Sequence, residues 1–157
     1  MKTLWLVRHA EAVPQEANQQ DRDRALSELG VDHATRLGQF LLDSQVRVDL
    51  MIVSSATRTQ TTAKLIQRSA QGRISSSLVV DDLYLASQEV IWQIVTQADD
   101  AIDSLMIVGH NPGLEALARQ YLPSLERLRT GDLVKITFDC QSWQDAGTDL
   151  VSDVRHI

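Results

Sequence analysis

The chain has 157 residues, of which 43% are hydrophobic and 23% charged, a balance that fits one globular domain over residues 1–157. Its formal net charge of −6 argues against nucleic acid as a partner, because a phosphate backbone needs a basic surface. The single cysteine, Cys140, cannot form an internal disulfide, and no apolar run approaches the roughly 20 residues of a membrane helix, so we expect a cytoplasmic location and no membrane partner.

The predicted elements begin with a strand and a helix separated by a long polar loop. Residues 3–7 form a continuous apolar run, typical of a strand buried on both faces and too short for a signal-peptide core. Residues 12–24 are rich in Gln and Asp, and loops of this length often serve as lids or binding loops. Ser27 is a good N-cap for the helix that follows. Its apolar residues keep helical spacing at Val31, Ala34, Leu37, Leu41 and Leu42.

The middle of the chain repeats this alternation. Residues 50–53 and 105–108 are short apolar runs that predict two more buried strands. A helix is expected from residue 55 or 56 to about residue 70, and another after Ser87. A further helix should follow Pro112, which suits the first helical position because that position needs no backbone N–H.

The last part of the chain predicts two further strands. Val134, Ile136 and Phe138 alternate with polar residues, which indicates a half-buried strand. Residues 150–154 are a second, shorter candidate. Because strands alternate with helices along the chain, we predict an α/β fold with three layers, α/β/α, and a mostly parallel central sheet.

Basic side chains follow three of the predicted strands. Arg8 and His9 come after the first strand, Arg58 after the second, and His110 after the strand over residues 105–108. In open α/β sheets, ligands bind at the carboxyl ends of the strands, so these turns can converge on one pocket. Arginine matches phosphate oxygens with two parallel hydrogen bonds, and the sequence therefore predicts an anion site, most simply for phosphate.

A histidine in such a pocket can act as a nucleophile toward phosphorus when its imidazole is neutral. Nearby arginines favour that form, because like charges lower the pKa of a histidine. We therefore predict that His9 attacks phosphorus while Arg8 and Arg58 hold the phosphoryl oxygens. His110 would donate a hydrogen bond to the same oxygens.

Each of these residues also has an ordinary interpretation when taken alone. An Arg-His pair is more often surface or capping chemistry, Arg58 alone would fit a solvated helix, and His110 alone would fit a turn. Their joint placement at three strand ends favours the pocket. No two histidines have the spacing of metal ligands on a helix, so we expect neither a metal nor another cofactor.

Four segments carry a resemblance to a known family. Residues 6–10, Leu-Val-Arg-His-Ala, resemble the Arg-His-Gly signature of the histidine phosphatase superfamily, and residues 54–63 and 108–113 resemble its second and third motifs. Residues 23–30 are similar to the Arg-Pro-Leu-Thr-x-x-Gly segment of the small SixA-type phosphohistidine phosphatases. The resemblance covers nearly the whole chain.

The resemblance implies a histidine-phosphatase-like fold with a small lid and a reaction that needs no metal. It implies a covalent phosphohistidine on His9, with Arg8, Arg58 and His110 completing the phosphate pocket. It further implies that Arg24 reaches in from the long loop to bind substrate. Asn111, in the Gly-His-Asn-Pro-Gly turn, is a second expected substrate-binding residue.

The chain departs from the family pattern at two points. Ala10 stands where the signature has glycine, which removes no charged contact. No residue matches the glutamate that mutase-like members use as general acid. The possible acids by sequence are Glu11, Asp23, Asp81, Asp82 and Glu89, and none is convincing.

A missing acid favours a phosphoramidate over an alkyl phosphate, because an imidazole nitrogen is protonated more readily than an alkoxide. The favoured partner is therefore a protein that carries phosphohistidine. Two alternatives stay open: a phosphatase for a small phosphorylated molecule, and a phosphate-recognition module without turnover. The sequence does not indicate the oligomeric state.

Overall fold

Six strands form one sheet in this computed structural model, which describes residues 1–157. The strands are β1 (Lys2–Arg8), β2 (Val48–Ser54), β3 (Ile74–Val80), β4 (Ser104–Gly109), β5 (Leu133–Phe138) and β6 (Val151–His156). Their order across the sheet is β3-β2-β4-β1-β5-β6. The first four strands run parallel to one another, whereas β5 pairs antiparallel with β1 and β6 antiparallel with β5. The predicted α/β fold with a mostly parallel sheet is confirmed.

Four helices cover the two faces of the sheet. They are α1 (Glu28–Asp43), α2 (Thr57–Ser69), α3 (Gln88–Thr96) and α4 (Gly113–Tyr121). Ser27 caps α1 as predicted, accepting a hydrogen bond from the backbone N–H of Gly30, and Ser87 caps α3 in the same way through Val90. Pro112 is the N-cap of α4 rather than its first helical residue, one position earlier than expected. None of the helices has the length and hydropathy that a bilayer span requires.

Alternate residues of β1 enter two separate cores. Leu4 and Leu6 pack with the side chains of α3 and α4, while Trp5 and Val7 pack with those of α1 and α2. This explains why β1 is a continuous apolar run, since a strand with helices on both faces has no solvent side. The two cores define the three layers of the predicted architecture.

Two strand predictions needed correction. We expect a half-buried strand at β5, but every residue of β5 except Lys135 is buried. Its second face is covered because α1 and α2 reach Leu133. β3 is a strand that the sequence pattern does not predict, because it lies at the sheet edge and its Ile-Ser-Ser-Ser-Leu-Val-Val sequence is mostly exposed and shows no apolar alternation.

Candidate active site

Three adjacent strands deliver the predicted basic residues to one edge of the sheet. β2, β4 and β1 are neighbours, and their carboxyl ends lead into Arg58, His110 and the Arg8-His9 pair respectively. The backbone N–H of His9 donates to the carbonyl of Gly109, 3.1 Å away, which ties the first turn to the third. The His9 and His110 rings lie 5.4 Å apart between centroids. The sheet order thus brings together side chains that are up to about a hundred residues apart in sequence.

The hydrogen bonds of His9 fix which of its nitrogens is free. Nδ1 lies 2.8 Å from the carbonyl oxygen of Ala10, and since a carbonyl only accepts, Nδ1–H must be the donor. Nε2 therefore carries a lone pair, and the Nε–H of Arg58 faces it at 3.4 Å. Burial and then the charges of Arg58 and Arg8 lower the pKa of His9 to about 4, against the opposing effect of the Ala10 carbonyl. A neutral imidazole with an unprotonated nitrogen is the form that attacks phosphorus.

His110 is held between a hydroxyl and a guanidinium. Its Nε2 lies 2.7 Å from Oγ of Ser54, and its Nδ1 lies 3.3 Å from a terminal nitrogen of Arg58. Burial, followed by the charge of Arg58, lowers the pKa of His110 to about 3, so the ring is neutral at pH 7. A guanidinium only donates, so Nδ1 accepts from Arg58 and Nε2–H donates to the Ser54 hydroxyl. His110 can donate to a phosphoryl oxygen in the other tautomer, in which the Ser54 hydroxyl donates to Nε2 and Nδ1 carries the proton.

The two predicted arginine clamps differ in how they are held. The side chain of Arg58 is only 2% exposed, and its terminal nitrogens donate to the backbone carbonyl of Asp21 at 2.8 Å and to the Asp21 carboxylate at 3.0 Å. Arg8 donates to the carbonyl of Leu128 at 3.1 Å. Its buried Nε–H has no partner in the protein, so Arg8 keeps hydrogen-bonding capacity for a ligand.

The polar loop over residues 12–24 docks against this pocket through a short 3₁₀ turn, Asp21–Asp23. The Asp21 carboxylate accepts hydrogen bonds from Arg58, from Nε of Arg24 at 3.0 Å and from the hydroxyl of Tyr84. The Tyr84 hydrogen bond is the main reason that the pKa of Asp21 falls to about 2. Arg24 is close enough for its charge to lower the pKa of His9, in agreement with a position beside the pocket.

Asn111 occupies a different position from the one its predicted role suggests. Its amide nitrogen donates to the carbonyl of Leu128 at 2.8 Å, the same carbonyl that Arg8 contacts. Its carbonyl oxygen is buried without a partner. An oxygen acceptor does not attract a phosphate oxygen, so these contacts suit a side chain that supports the loop beside Arg8. Substrate binding by Asn111 stays a prediction.

None of the acids considered from sequence is bonded to the pocket side chains. Glu11 accepts from the Ser27 hydroxyl, and Asp81 pairs with Arg22 on the protein surface. The carboxylate that contacts Arg58 belongs to Asp21, which the sequence analysis did not single out. No group of three or more His, Cys, Asp or Glu side chains is arranged to hold a metal ion.

Sequence reasoning also missed two supporting residues. Ser54 sits at the end of β2, inside the second motif, so its position was a usable signal. Tyr84 follows a 3₁₀ turn, Asp81–Leu83, and stands edge-on to the His110 ring at 5.6 Å. Nothing in the local sequence around Tyr84 indicates that contact, because it depends on how the loop packs.

Comparison with known proteins gives a family for this arrangement. A sequence model of the histidine phosphatase superfamily (branch 1) matches residues 4–84, just over half of the chain. The matched region contains Arg8, His9, Arg24 and Arg58.

Similar proteins cover almost the full length of the chain. A crystal structure of a candidate phosphohistidine phosphatase SixA from Agrobacterium tumefaciens is 28% identical with a TM-score of 0.78, covering 86% of this chain and 90% of that one. A second candidate SixA, from Nakamurella multipartitia, is 26% identical with a TM-score of 0.80, covering 99% and 95%. An uncharacterized chloroplastic protein of Arabidopsis thaliana is 26% identical over 153 residues, which are 92% of this chain and 70% of the plant protein.

Proposed function

The chain belongs to the histidine phosphatase superfamily, branch 1, as a phosphatase of that family, and we propose that its substrate is phosphohistidine carried by a protein. The observation that carries the choice of substrate is the ionisation state of the pocket. The carboxylate bonded to Arg58 is that of Asp21, whose pKa of about 2 leaves it without a proton to give. Burial keeps His9 and His110 neutral as well. A leaving group that needs no proton from the enzyme suits this pocket best.

The first step of the proposed reaction forms a phosphoryl-enzyme. Nε2 of His9 attacks phosphorus, and a new P–N bond forms as the P–N bond of the substrate breaks. The bonding electron pair goes to the substrate imidazole. When the other nitrogen of the substrate ring has taken a proton from solvent, the imidazole leaves as a neutral molecule, and the enzyme need not supply that proton. In the second step water attacks the phosphoryl group on His9, the P–Nε2 bond breaks with its electron pair returning to Nε2, and inorganic phosphate is released.

The surrounding donors stabilise the charge on the three phosphoryl oxygens during transfer. Arg58 and Arg8 supply positive charge, and the free Nε–H of Arg8 offers one unused donor. His110 can donate after its proton moves to Nδ1, with the Ser54 hydroxyl then donating to Nε2. Arg58 and both histidines are almost completely buried, which strengthens their interaction with the phosphoryl charge.

The same pocket would also bind the phosphoryl group of a small phosphomonoester. Such a substrate leaves as an alkoxide and needs a proton, which the neutral histidines and ionised Asp21 do not supply readily. We therefore expect kcat/KM for a phosphohistidine peptide to exceed that for sugar and nucleotide phosphates. A panel of these substrates, assayed side by side, measures the preference.

A cytoplasmic location stays a prediction from the single cysteine.

The assignment is tested by phosphate release from a phosphohistidine peptide in excess chelator. The wild-type protein should turn over without added metal, and His9→Ala should abolish release. His156→Ala is the matched control, since this histidine pairs with Asp132 on the surface and should leave the rate unchanged. Full activity of His9→Ala would refute the nucleophile. Saturable binding of the peptide by the wild-type protein, with no release of phosphate, would instead support a phosphate-recognition module.

A further inference from the structure

A carboxylate is built into the arginine cluster of an anion pocket, where it opposes anion binding. We propose that Asp21 determines specificity: by cancelling one arginine charge it confines the pocket to a single phosphoryl dianion and rejects substrates with a second anionic group beside it. The inference rests on the proposed function in one respect, that the transferred phosphoryl group binds at His9.

The charges of the pocket support this role. Arg8, Arg24 and Arg58 carry three positive charges, and both histidines are neutral because burial lowers the pKa of each. Asp21 is ionised and removes one of the three. Two positive charges remain, which match one phosphoryl dianion. Beside Arg8, the charge of Arg127 is opposed by those of Glu115 and Asp132. A carboxylate or second phosphate next to the dianion would be repelled by Asp21, whereas a protonated or neutral imidazole would not.

The location of Asp21 places this charge on the way to the nucleophile. The carboxylate is 33% exposed, whereas the Arg58 side chain to which it is bonded is 2% exposed. His9 lies on the other side of that guanidinium, because Nε of Arg58 faces His9 while the terminal nitrogens face Asp21. Asp21 thus lies on a more exposed side of Arg58 than His9, and the inference places the part of the substrate outside the phosphoryl group on that side.

The carboxylate is also held in place. Three donors contact it: Arg58 at 3.0 Å and the Tyr84 hydroxyl from distant parts of the chain, and Arg24 at 3.0 Å from the end of the same turn. The backbone carbonyl of Asp21 accepts a further hydrogen bond from Arg58 at 2.8 Å. With both its backbone and its side chain fixed, Asp21 acts as a permanent charge of the pocket. Selection between differently charged ligands is often achieved by such a repulsive element.

A purely positioning role for Asp21 makes a different prediction. If the carboxylate only oriented Arg58, its loss would weaken all phosphoryl ligands by the same factor. If it selects by charge, its loss changes the ratio of affinities between ligands of different charge. The ratio therefore separates the two roles.

The test uses two phosphonates of similar size, ethylphosphonate and phosphonoacetate, which differ by one carboxylate next to the phosphonyl group. Dissociation constants are measured at pH 8 for the wild-type chain, for Asp21→Asn and for Asp23→Asn. Asp23 lies on the same turn and its side chain bonds none of the pocket residues, so this variant removes the same charge outside the pocket. We expect the wild type to prefer ethylphosphonate by at least tenfold, and Asp21→Asn to reduce that preference about tenfold. Asp23→Asn should leave it unchanged.

Several outcomes would overturn the inference. They are equal affinities of the wild type for the two phosphonates, no binding of ethylphosphonate, and an unchanged preference in Asp21→Asn. The wild-type preference is informative even if Asp21→Asn does not fold. Because both probes bind without turnover, the result is independent of whether the wild type hydrolyses phosphohistidine, and the peptide assay tests that separately.

Discussion

The pocket has two walls that differ in burial and in chemistry. The sheet wall consists of side chains at the ends of β1, β2 and β4, and His9, Arg58 and His110 there are between 2% and 6% exposed. The lid wall is the loop over residues 12–24, where Asp21 and Arg24 are partly exposed and Asp21 meets the sheet wall through its hydrogen bonds with Arg58. Buried strand ends fix the groups that we propose to react, while a more accessible loop can adjust which substrates reach them.

The largest expected effect comes from the sheet wall. Arg58→Lys should lower kcat/KM about 100- to 1,000-fold, because a single ammonium cannot replace a guanidinium that contacts His9, His110 and the lid at once. Arg24→Lys, on the lid wall, should lower it about tenfold. Steady-state kinetics with a phosphohistidine peptide measure both. Equal losses of kcat/KM in the two variants would contradict the claim that the sheet wall contributes more to the reaction than the lid wall.

A pair of adjacent serines gives a finer comparison. Ser54→Ala removes the hydroxyl 2.7 Å from His110 and should lower kcat/KM about tenfold, roughly the value of one buried hydrogen bond. Ser55→Ala removes a contact to Arg22 on the lid and should cost about twofold or less. The ¹⁵N chemical shift of Nε2 of His110 should change in Ser54→Ala alone, because Nε2–H loses its acceptor there. An unchanged ring in that variant would contradict the role given to Ser54.

The two neutral histidines predict how the protein responds to acid. The pKa values of His9 and His110, about 4 and about 3, lie below the ordinary 6.5. Between these values and pH 6.5 both histidines are protonated in the unfolded chain but neutral in the folded chain. The free energy of unfolding should therefore have its full value above about pH 6.5 and should decrease as the pH drops toward 4. Activity should fall only near pH 4, where His9 becomes protonated. Melting temperatures measured against pH report the loss of stability, and a pH–rate profile reports the loss of activity. A loss of activity centred near pH 6.5 would contradict a neutral, buried nucleophile.

The smallest expected effect lies in the lid. Tyr84→Phe removes one hydrogen bond to a partly exposed carboxylate and should change kcat/KM by about twofold. The pKa of Asp21 should rise, because the Tyr84 hydrogen bond is the largest cause of its depression. NMR titration of Asp21 measures the shift. A pKa unchanged from the wild type would show that Arg58 and Arg24 alone hold the carboxylate.

The two walls also differ in how far the sequence predicts them. Arg8, His9, Arg58 and His110 follow apolar runs, and the rule that ligands bind at the carboxyl ends of parallel strands predicted their convergence. Asp21 has acidic and basic neighbours in a polar loop, where no periodicity exists. Its importance comes from contacts with Arg58 and Tyr84, which depend on the packing of distant segments. The exposed strand β3 escaped prediction for a related reason, since its serine run carries no burial pattern.

The central claim is that Nε2 of His9 accepts the phosphoryl group. Rapid mixing with a phosphohistidine peptide, an alkaline quench that preserves phosphohistidine, and peptide mass spectrometry test it directly. We predict a phosphoryl group on the peptide that contains His9, appearing before free phosphate. Release of phosphate with no phosphorylated enzyme at any time, or a label on His110 instead, would contradict the account.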